Sequence, residues 1–339
     1  MQEELAQVAN TLVSPGRGIL AADESLGTIG KRFSPINVEN NEENRRAYRE
    51  LLFVAPDVGS YIGGVILFDE TLRQSTTDGT PFAAVLESAG VVPGIKVDKG
   101  VKPLPGFAGE TITEGLDGLR ERLEEYRELG ARFAKWRATI TIGDGIPTDY
   151  CIDANSDALA RYAALCQASG LVPIVEPEVL MDGDNTLERC FDVTVATLRS
   201  LYRALADARV ELEGSLLKPN MVVPGKKSGQ KAAATEIAEA TIRCLRETVP
   251  AAVPGIVFLS GGQSEREATE NLSTMNEQGP HPWELSFSYG RALQASALDA
   301  WRGDAAQVEA AQRAFLHRAR CNSAARSGSW TAAMEADAA

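Results

Sequence analysis

The sequence predicts a (β/α)8 TIM barrel in a single domain. Three observations lead there. Eight short β-rich apolar runs recur at 18–23 (GILAAD), 64–68 (GVILF), 94–98 (GIKVD), 133–138 (FAKWRA), 172–178 (VPIVEPE), 215–220 (SLLKPN), 255–262 (GIVFLSGG) and 284–290 (ELSFSYG), with starts 29 to 46 residues apart. Helical patterns lie between them, and strands alternating with helices form a parallel sheet. Eight such units close into a barrel, and 339 residues suit that fold with insertions. Third, nearly every run ends in a polar or charged residue, as strands do where a barrel carries its site. The alternative is an open doubly wound sheet, but no G-x-G-x-x-G follows the first run.

The elements follow in order. The first residues, MQEELAQVANTLV, read as an acidic amphipathic helix. Apolar residues at helical spacing predict helices over 42–53, 116–130, 157–169, 187–208, 235–249 and 264–275. The last opens on Ser264 with Glu267 three residues on, a capping box. Gly130 and Gly170 stand where C-terminal caps belong. Segments 100–115 and 223–234, rich in Gly, Pro and Lys, read as long loops on the active face. Helices over 290–301 and 305–317 complete the domain, which spans 1–319. Residues 320–339, small and poor in apolar groups, read as a flexible tail.

Composition narrows the partners. The formal charge is −13, which argues against nucleic acid and requires that an anionic substrate be met by a local cationic cluster. No apolar stretch approaches the ~18 residues that cross a bilayer, and no leader pattern opens the sequence, so a cytoplasmic protein is expected. The five cysteines are dispersed without C-x-x-C spacing, which excludes a disulfide framework and a cysteine zinc site. The two histidines, His281 and His317, stand apart in the sequence and read as ordinary loop and helix residues.

Three lysines resist an ordinary explanation. Lys96, Lys135 and Lys218 lie in or at the end of runs that read as buried strands. A buried lysine must be paired or lose its proton, and a neutral amine is a nucleophile for carbonyls. The other run ends add Asp23, Glu70, Arg137, Glu176 and Glu178, then Ser260-Gly261-Gly262, then Ser288 to Arg291. The glycines of LSGGQS let backbone N–H groups approach a phosphate ahead of a helix N-terminus, and Arg291 adds a guanidinium fork. Lys31-Arg32, past the first strand, reads either as a solvated helix face or as a second anion site. Two anion sites on opposite sides of one barrel mouth suit a bisphosphate.

These residues fall within motifs of a known family. GILAADES, GGVILF, GIKVDKG, TEGLDGL, FAKWR, VPIVEPE, LLKPNMV, FLSGGQS and FSYGRALQASAL, in order from about Leu12 to Trp301, closely resemble class I fructose-bisphosphate aldolases. The resemblance implies reversible cleavage of fructose 1,6-bisphosphate to dihydroxyacetone phosphate and glyceraldehyde 3-phosphate, in glycolysis and gluconeogenesis. It assigns the Schiff base to Lys218, general acid–base work to Glu176 with help from Glu178, the C4 hydroxyl proton to Asp23, and carbinolamine support to Lys135. It places Ser260, Gly261, Ser288, Gly290 and Arg291 on one phosphate, and Ser25, Arg32 and Lys96 near the other or along the substrate chain. Gly262 and Arg137 complete the expected binding set. No metal or cofactor is implied, the partners are sugar phosphates, and a homotetramer is the family expectation.

The sequence departs from the animal pattern in two places. Thr28 stands where many members have Ser, which keeps the hydroxyl. The last residues, 335–339, carry no Tyr, so the terminal-phenol proton transfer of the animal enzymes does not carry over. Two other classes fit less well. A pyridoxal-phosphate barrel would also use a buried lysine and a phosphate cradle, and would absorb visible light. A scaffold that kept only the fold would not need the amine–carboxylate set.

Overall fold

The computed structural model describes residues 2–338. Eight parallel strands close into one barrel: β1 (Gly18–Ala22), β2 (Ile62–Leu67), β3 (Val92–Lys96), β4 (Phe133–Ile140), β5 (Val172–Val179), β6 (Leu216–Leu217), β7 (Gly255–Phe258) and β8 (Glu284–Tyr289). Each strand pairs with its sequence neighbours, and β1 closes the ring on β8 through Ile19–Ser288 and Leu20–Tyr289. The strands read as unbroken apolar runs because helices cover one face and the barrel interior the other. β1, β2 and β5 are buried at every residue.

Among the described residues, twelve α-helices accompany the strands: α1 (Gln2–Leu12), α2 (Leu26–Phe33), α3 (Glu42–Phe53), α4 (Asp69–Leu72), α5 (Phe82–Ser88), α6 (Leu119–Glu128), α7 (Asp149–Ala168), α8 (Leu187–Asp207), α9 (Ala234–Thr248), α10 (Glu265–Glu277), α11 (Arg291–Trp301) and α12 (Val308–Arg326). The capping box forms as expected, with Ser264 Oγ accepting from Glu267 N and the Glu267 carboxylate accepting from Ser264 N. Gly130 and Gly170 take positive φ at the ends of α6 and α7. α7 starts eight residues before the expected Asp157, because Thr148 caps it by accepting from Cys151 N. Segment 100–115 is not plain loop: Val101–Pro103 and Thr111–Thr113 pair as an antiparallel hairpin.

The interior and exterior cores separate cleanly. Inside the barrel, Ile19, Ala21, Ile66, Phe133, Val172, Ile174, Leu216 and Val257 pack with Leu5, Ala9 and Leu12 of α1. The N-terminal helix therefore stoppers one end of the barrel. Phe133 fills space that two glycines leave open, since a Cβ on Gly64 or Gly94 would run into its ring. Outside, Trp136 meets Tyr162 of α7, with ring centroids 5.6 Å apart. Phe133 and Trp136 thus face opposite sides of β4, as the two-residue period of a strand requires.

The C-terminal boundary needs correcting. The helix expected over 305–317 continues to Arg326, and Cys321, Asn322 and Ala325 are buried in it. Small side chains here permit close packing instead of marking a loose tail. The Arg326 guanidinium donates to the carbonyls of Val13, Ser14 and Arg17 and pairs with Glu284 at 2.7 Å. Beyond it, Trp330 Nε1 donates to Glu335 at 3.0 Å, and Glu335 pairs with the buried Arg318. Deleting residues 329–339 strips Arg318 of its carboxylate, and should lower stability by about 1–3 kcal/mol in chemical denaturation. The described residues among them do not line the cleft below, so kcat for cleavage should change by less than about threefold, ~0.6 kcal/mol. A tenfold loss of kcat with the fold intact by circular dichroism would contradict that separation.

Candidate active site

On four of the strands the inward-facing positions change from apolar to ionisable toward the carboxyl end. On β1 the inward series Ile19, Ala21 leads to Asp23; on β4, Phe133 leads to Lys135 and Arg137; on β5, Val172 and Ile174 lead to Glu176 and Glu178; on β6, Leu216 leads to Lys218. One chain periodicity therefore builds both the core and the floor of the cleft above it. That cleft has a volume of about 1600 Å³ and is lined by the catalytic and binding residues expected from the sequence except Gly262; the strand-end candidate Glu70 also lies outside it.

At its floor lies a buried chain of charge. Lys135 Nζ is 2.8 Å from Asp23 Oδ2 and 3.0 Å from Glu176 Oε2, and Lys218 Nζ is 3.3 Å from Glu176 Oε1. Lys135, Glu176 and Lys218 are each under 5 % exposed. The Lys135–Glu176 contact lacks hydrogen-bond alignment, which leaves the lone pairs of Oε2 uncommitted. Neighbouring register brings the residues together: Arg137 stands opposite Glu176, and the backbone N–H of Lys218 donates to Val175 O at 2.8 Å.

The electrostatics separate the two readings left open for a buried lysine. Burial alone lowers the pKa of Lys135, but Asp23, Glu176 and then Asp98 outweigh it and hold the amine protonated, above its ordinary value. Burial would raise Asp23, yet Lys135 and Lys218 together hold that carboxyl well below the usual range. Glu176 is lowered too, with burial opposed by Lys135, Lys218 and Arg137. Lys135 is therefore a fixed cation, not a low-pKa nucleophile; its two carboxylate partners come from other strands and could not be paired with it from sequence alone. Lys96 is half-buried and held by Asp98, with Nζ 2.6 Å from Oδ1.

The walls carry the groups expected from the sequence to meet an anion. Ser288 Oγ is buried and without a partner, and Ser260 and Gly261 follow β7 beside it on the lining. Arg291 Nη2 reaches Gly261 O at 3.4 Å. Arg32 stands next to this turn, because a Cβ on Gly290 would lie 3.5 Å from its Nη2. The expectation of anion sites on opposite sides fails for Arg32: β1 and β8 are hydrogen-bonded neighbours in the closed barrel. Cations across the mouth include Lys96 on β3 and Arg137 on β4, which pairs with Glu178 at 2.5 Å. Ser25 Oγ lies 3.1 Å from Thr28 Oγ1 at the start of α2. Gly262 instead packs against Met181 and Lys226. Glu70 is taken by Arg45 in two hydrogen bonds, of 2.7 and 2.6 Å.

Three site residues went unnoticed in the sequence. Asp98 lies two residues after Lys96 on the same strand line, a spacing that could have marked it. Glu24 directly follows Asp23 and was masked by it. Arg49 sits in α3, where an arginine looks like any solvated helix residue. His317 is not isolated in space: its Nε2 is 3.7 Å from Cys321 Sγ, with Glu335 near both. Glu335 is already engaged by Arg318 and Trp330, so the group reads as a helix-to-terminus contact. Among the described residues, no histidine or cysteine lines the cleft.

Comparison with known proteins follows the same lines. A family model described as fructose-bisphosphate aldolase class-I matches residues 4–339. A probable fructose-bisphosphate aldolase class 1 of Xanthomonas campestris pv. campestris is 57% identical over 97% of this chain and 98% of its own. The cytosolic fructose-bisphosphate aldolase 4 of Arabidopsis thaliana is 58% identical over 96% of this chain and 84% of its own. Among solved structures, the fructose-bisphosphate aldolase of Plasmodium falciparum, crystallised with TRAP and a small-molecule inhibitor, superposes with a TM-score of 0.96 at 51% identity, covering 97% of this chain and 96% of the other. A closed barrel with an amine–carboxylate floor, matched end to end by such relatives, places the chain in the class I fructose-bisphosphate aldolase family, and it is an aldehyde-lyase.

Proposed function

We propose that Lys218 is the amine that condenses with the ketone of fructose 1,6-bisphosphate, and that Glu176 moves the protons of that step. The observation that carries this reading is the shared carboxylate. Glu176 touches both Lys218 and Lys135, whose pKa is raised, and of these two amines Lys135 has a second carboxylate in ion-pair contact while Lys218, among the described residues, pairs with Glu176 alone. The Lys218 amine adds to C2, Glu176 relays a proton to the departing oxygen, and water leaves an iminium. Asp23, ionised and lining the cleft, takes the C4 hydroxyl proton. The C3–C4 bond then breaks, its electron pair enters the iminium, and glyceraldehyde 3-phosphate departs from an enamine. Protonation at C3 and hydrolysis release dihydroxyacetone phosphate.

Lys135 supports each step by keeping Asp23 and Glu176 ionised and by facing the developing charge. Glu178 and Arg137 form a paired wall that assists Glu176. Ser260, Gly261, Ser288, Gly290, Arg291 and Arg32 hold one phosphate, while Ser25 and Lys96 serve the other phosphate or the chain. The iminium is the electron sink, so the reading needs no metal or cofactor. On the same reading the enzyme is a cytoplasmic homotetramer, as its family resemblance implies.

Borohydride reduction in the presence of dihydroxyacetone phosphate should trap label on Lys218. Lys218→Ala should abolish the adduct and lower kcat by about 10⁴-fold or more. Label on Lys135 or Lys96, with Lys218 unmodified, would sink the assignment. Lys135→Met removes the cation that lowers Glu176. The acid limb of the kcat/KM profile should then move to higher pH. A profile left in place would show that Lys135 does not tune this carboxylate.

A further inference from the structure

Glu24 carries more positive charge than it needs. It is 7% exposed, and two guanidiniums meet it. Arg32 Nη1 donates to Oε1, and Arg49 Nη2 donates to Oε2 at 2.5 Å. Gln294 Nε2 adds a third donor to Oε1 at 3.2 Å; it also donates to Ala21 O at 2.7 Å, while its own Oε1 accepts from Tyr48 OH at 3.0 Å. The two arginines differ in position. Arg32 lines the cleft beside Gly290. Arg49 is buried, lies 5.7 Å over the Tyr48 ring, and does not line the cleft.

This asymmetry has a consequence for binding. A buried carboxylate that loses its sole cation is strongly destabilised. If Arg32 were the only partner, turning it onto a substrate phosphate would strand Glu24. With Arg49 and Gln294 in place, Glu24 stays paired and Arg32 is released at small cost. One carboxylate between two guanidiniums also leaves one net positive charge, and only Arg32 can present it to the cleft.

We propose that Arg49 is a positioning residue for phosphate binding: it keeps Glu24 paired so that Arg32 can pass between Glu24 and a substrate phosphate held at the Ser288–Arg291 turn. The inference rests on the bisphosphate reading of this cleft. It adds a residue that never touches substrate yet sets its affinity.

The test is a charge-balance cycle on the full chain. Three variants are made: Arg49→Met, Arg49→Lys, and the double variant Glu24→Gln/Arg49→Met. The readouts are kcat and KM for fructose 1,6-bisphosphate, and Ki for a hexitol 1,6-bisphosphate, which has no carbonyl and reports binding alone. Arg49→Met leaves Glu24 and Arg32 as a closed pair, and should raise KM and Ki about tenfold with kcat within about threefold. Arg49→Lys should fall between. The double variant removes both charges, frees Arg32 again, and should return Ki to within about threefold of the parent. An unchanged Ki in Arg49→Met, or a double variant no better than the single, overturns the proposal. Should Arg49→Met fail to fold, the double variant decides alone, and a Ki raised tenfold there overturns it. Borohydride trapping on Lys218 is run in parallel. Loss of trapping in the parent enzyme speaks against the Schiff-base reading, whereas trapping that persists with an unmoved Ki speaks against Arg49 only.

Discussion

Lys135 is the pivot of this structure. Its ammonium sits between the carboxylates of Asp23 and Glu176, and Glu176 in turn reaches Lys218. Four ionisable groups from four strands are thereby held at the barrel floor. Burying any one alone would cost several kcal/mol, and removing one partner from such a set typically costs ~3–5 kcal/mol. The set survives because each charge has an opposite neighbour within 3.3 Å. Electrostatic preorganisation of this kind requires no rearrangement at the moment of reaction.

The barrel makes that arrangement possible. Inward positions two residues apart stack vertically, so a hydrophobic floor stoppered by α1 lies beneath the ionic layer and excludes water from below. The depressed carboxyls of Asp23 and Glu176 stabilise the fold above their unfolded values near ~4, a contribution lost as pH falls through the folded values. The raised amine of Lys135 contributes fully below its unfolded value of ~10.4, and that contribution is lost only as pH rises through its folded value. The ionic layer therefore supports the fold across the whole neutral range, where its carboxylates are also ready as bases.

Much of this was legible in the sequence. Strand positions followed from unbroken apolar runs, because parallel strands are covered on both faces. Ser264 with Glu267 marked a helix start to the residue. The cleft-lining residues followed from strand ends, since a closed barrel brings all its carboxyl ends to one mouth. What was hidden was pairing. Whether Lys135 was paired or deprotonated stayed open because Asp23 and Glu176 lie 112 and 41 positions away in sequence, and proximity came only with closure. Closure likewise set Arg32 beside Gly290, because the first and last strands are neighbours. Arg49 left no trace, as its burial depends on how α3 crosses Glu24. The C-terminal boundary was misplaced because alanines that look featureless pack closely in α12.

The central claim is that Lys135 is a fixed cation and not the nucleophile. A nitrogen-15 NMR titration of lysine-labelled enzyme, with Lys135 assigned by comparison with Lys135→Met, measures it directly. The account predicts that the Lys135 resonance stays in its ammonium position up to and beyond pH ~10.4, the value of a free lysine. A Lys135 amine that loses its proton well below that pH would contradict the account.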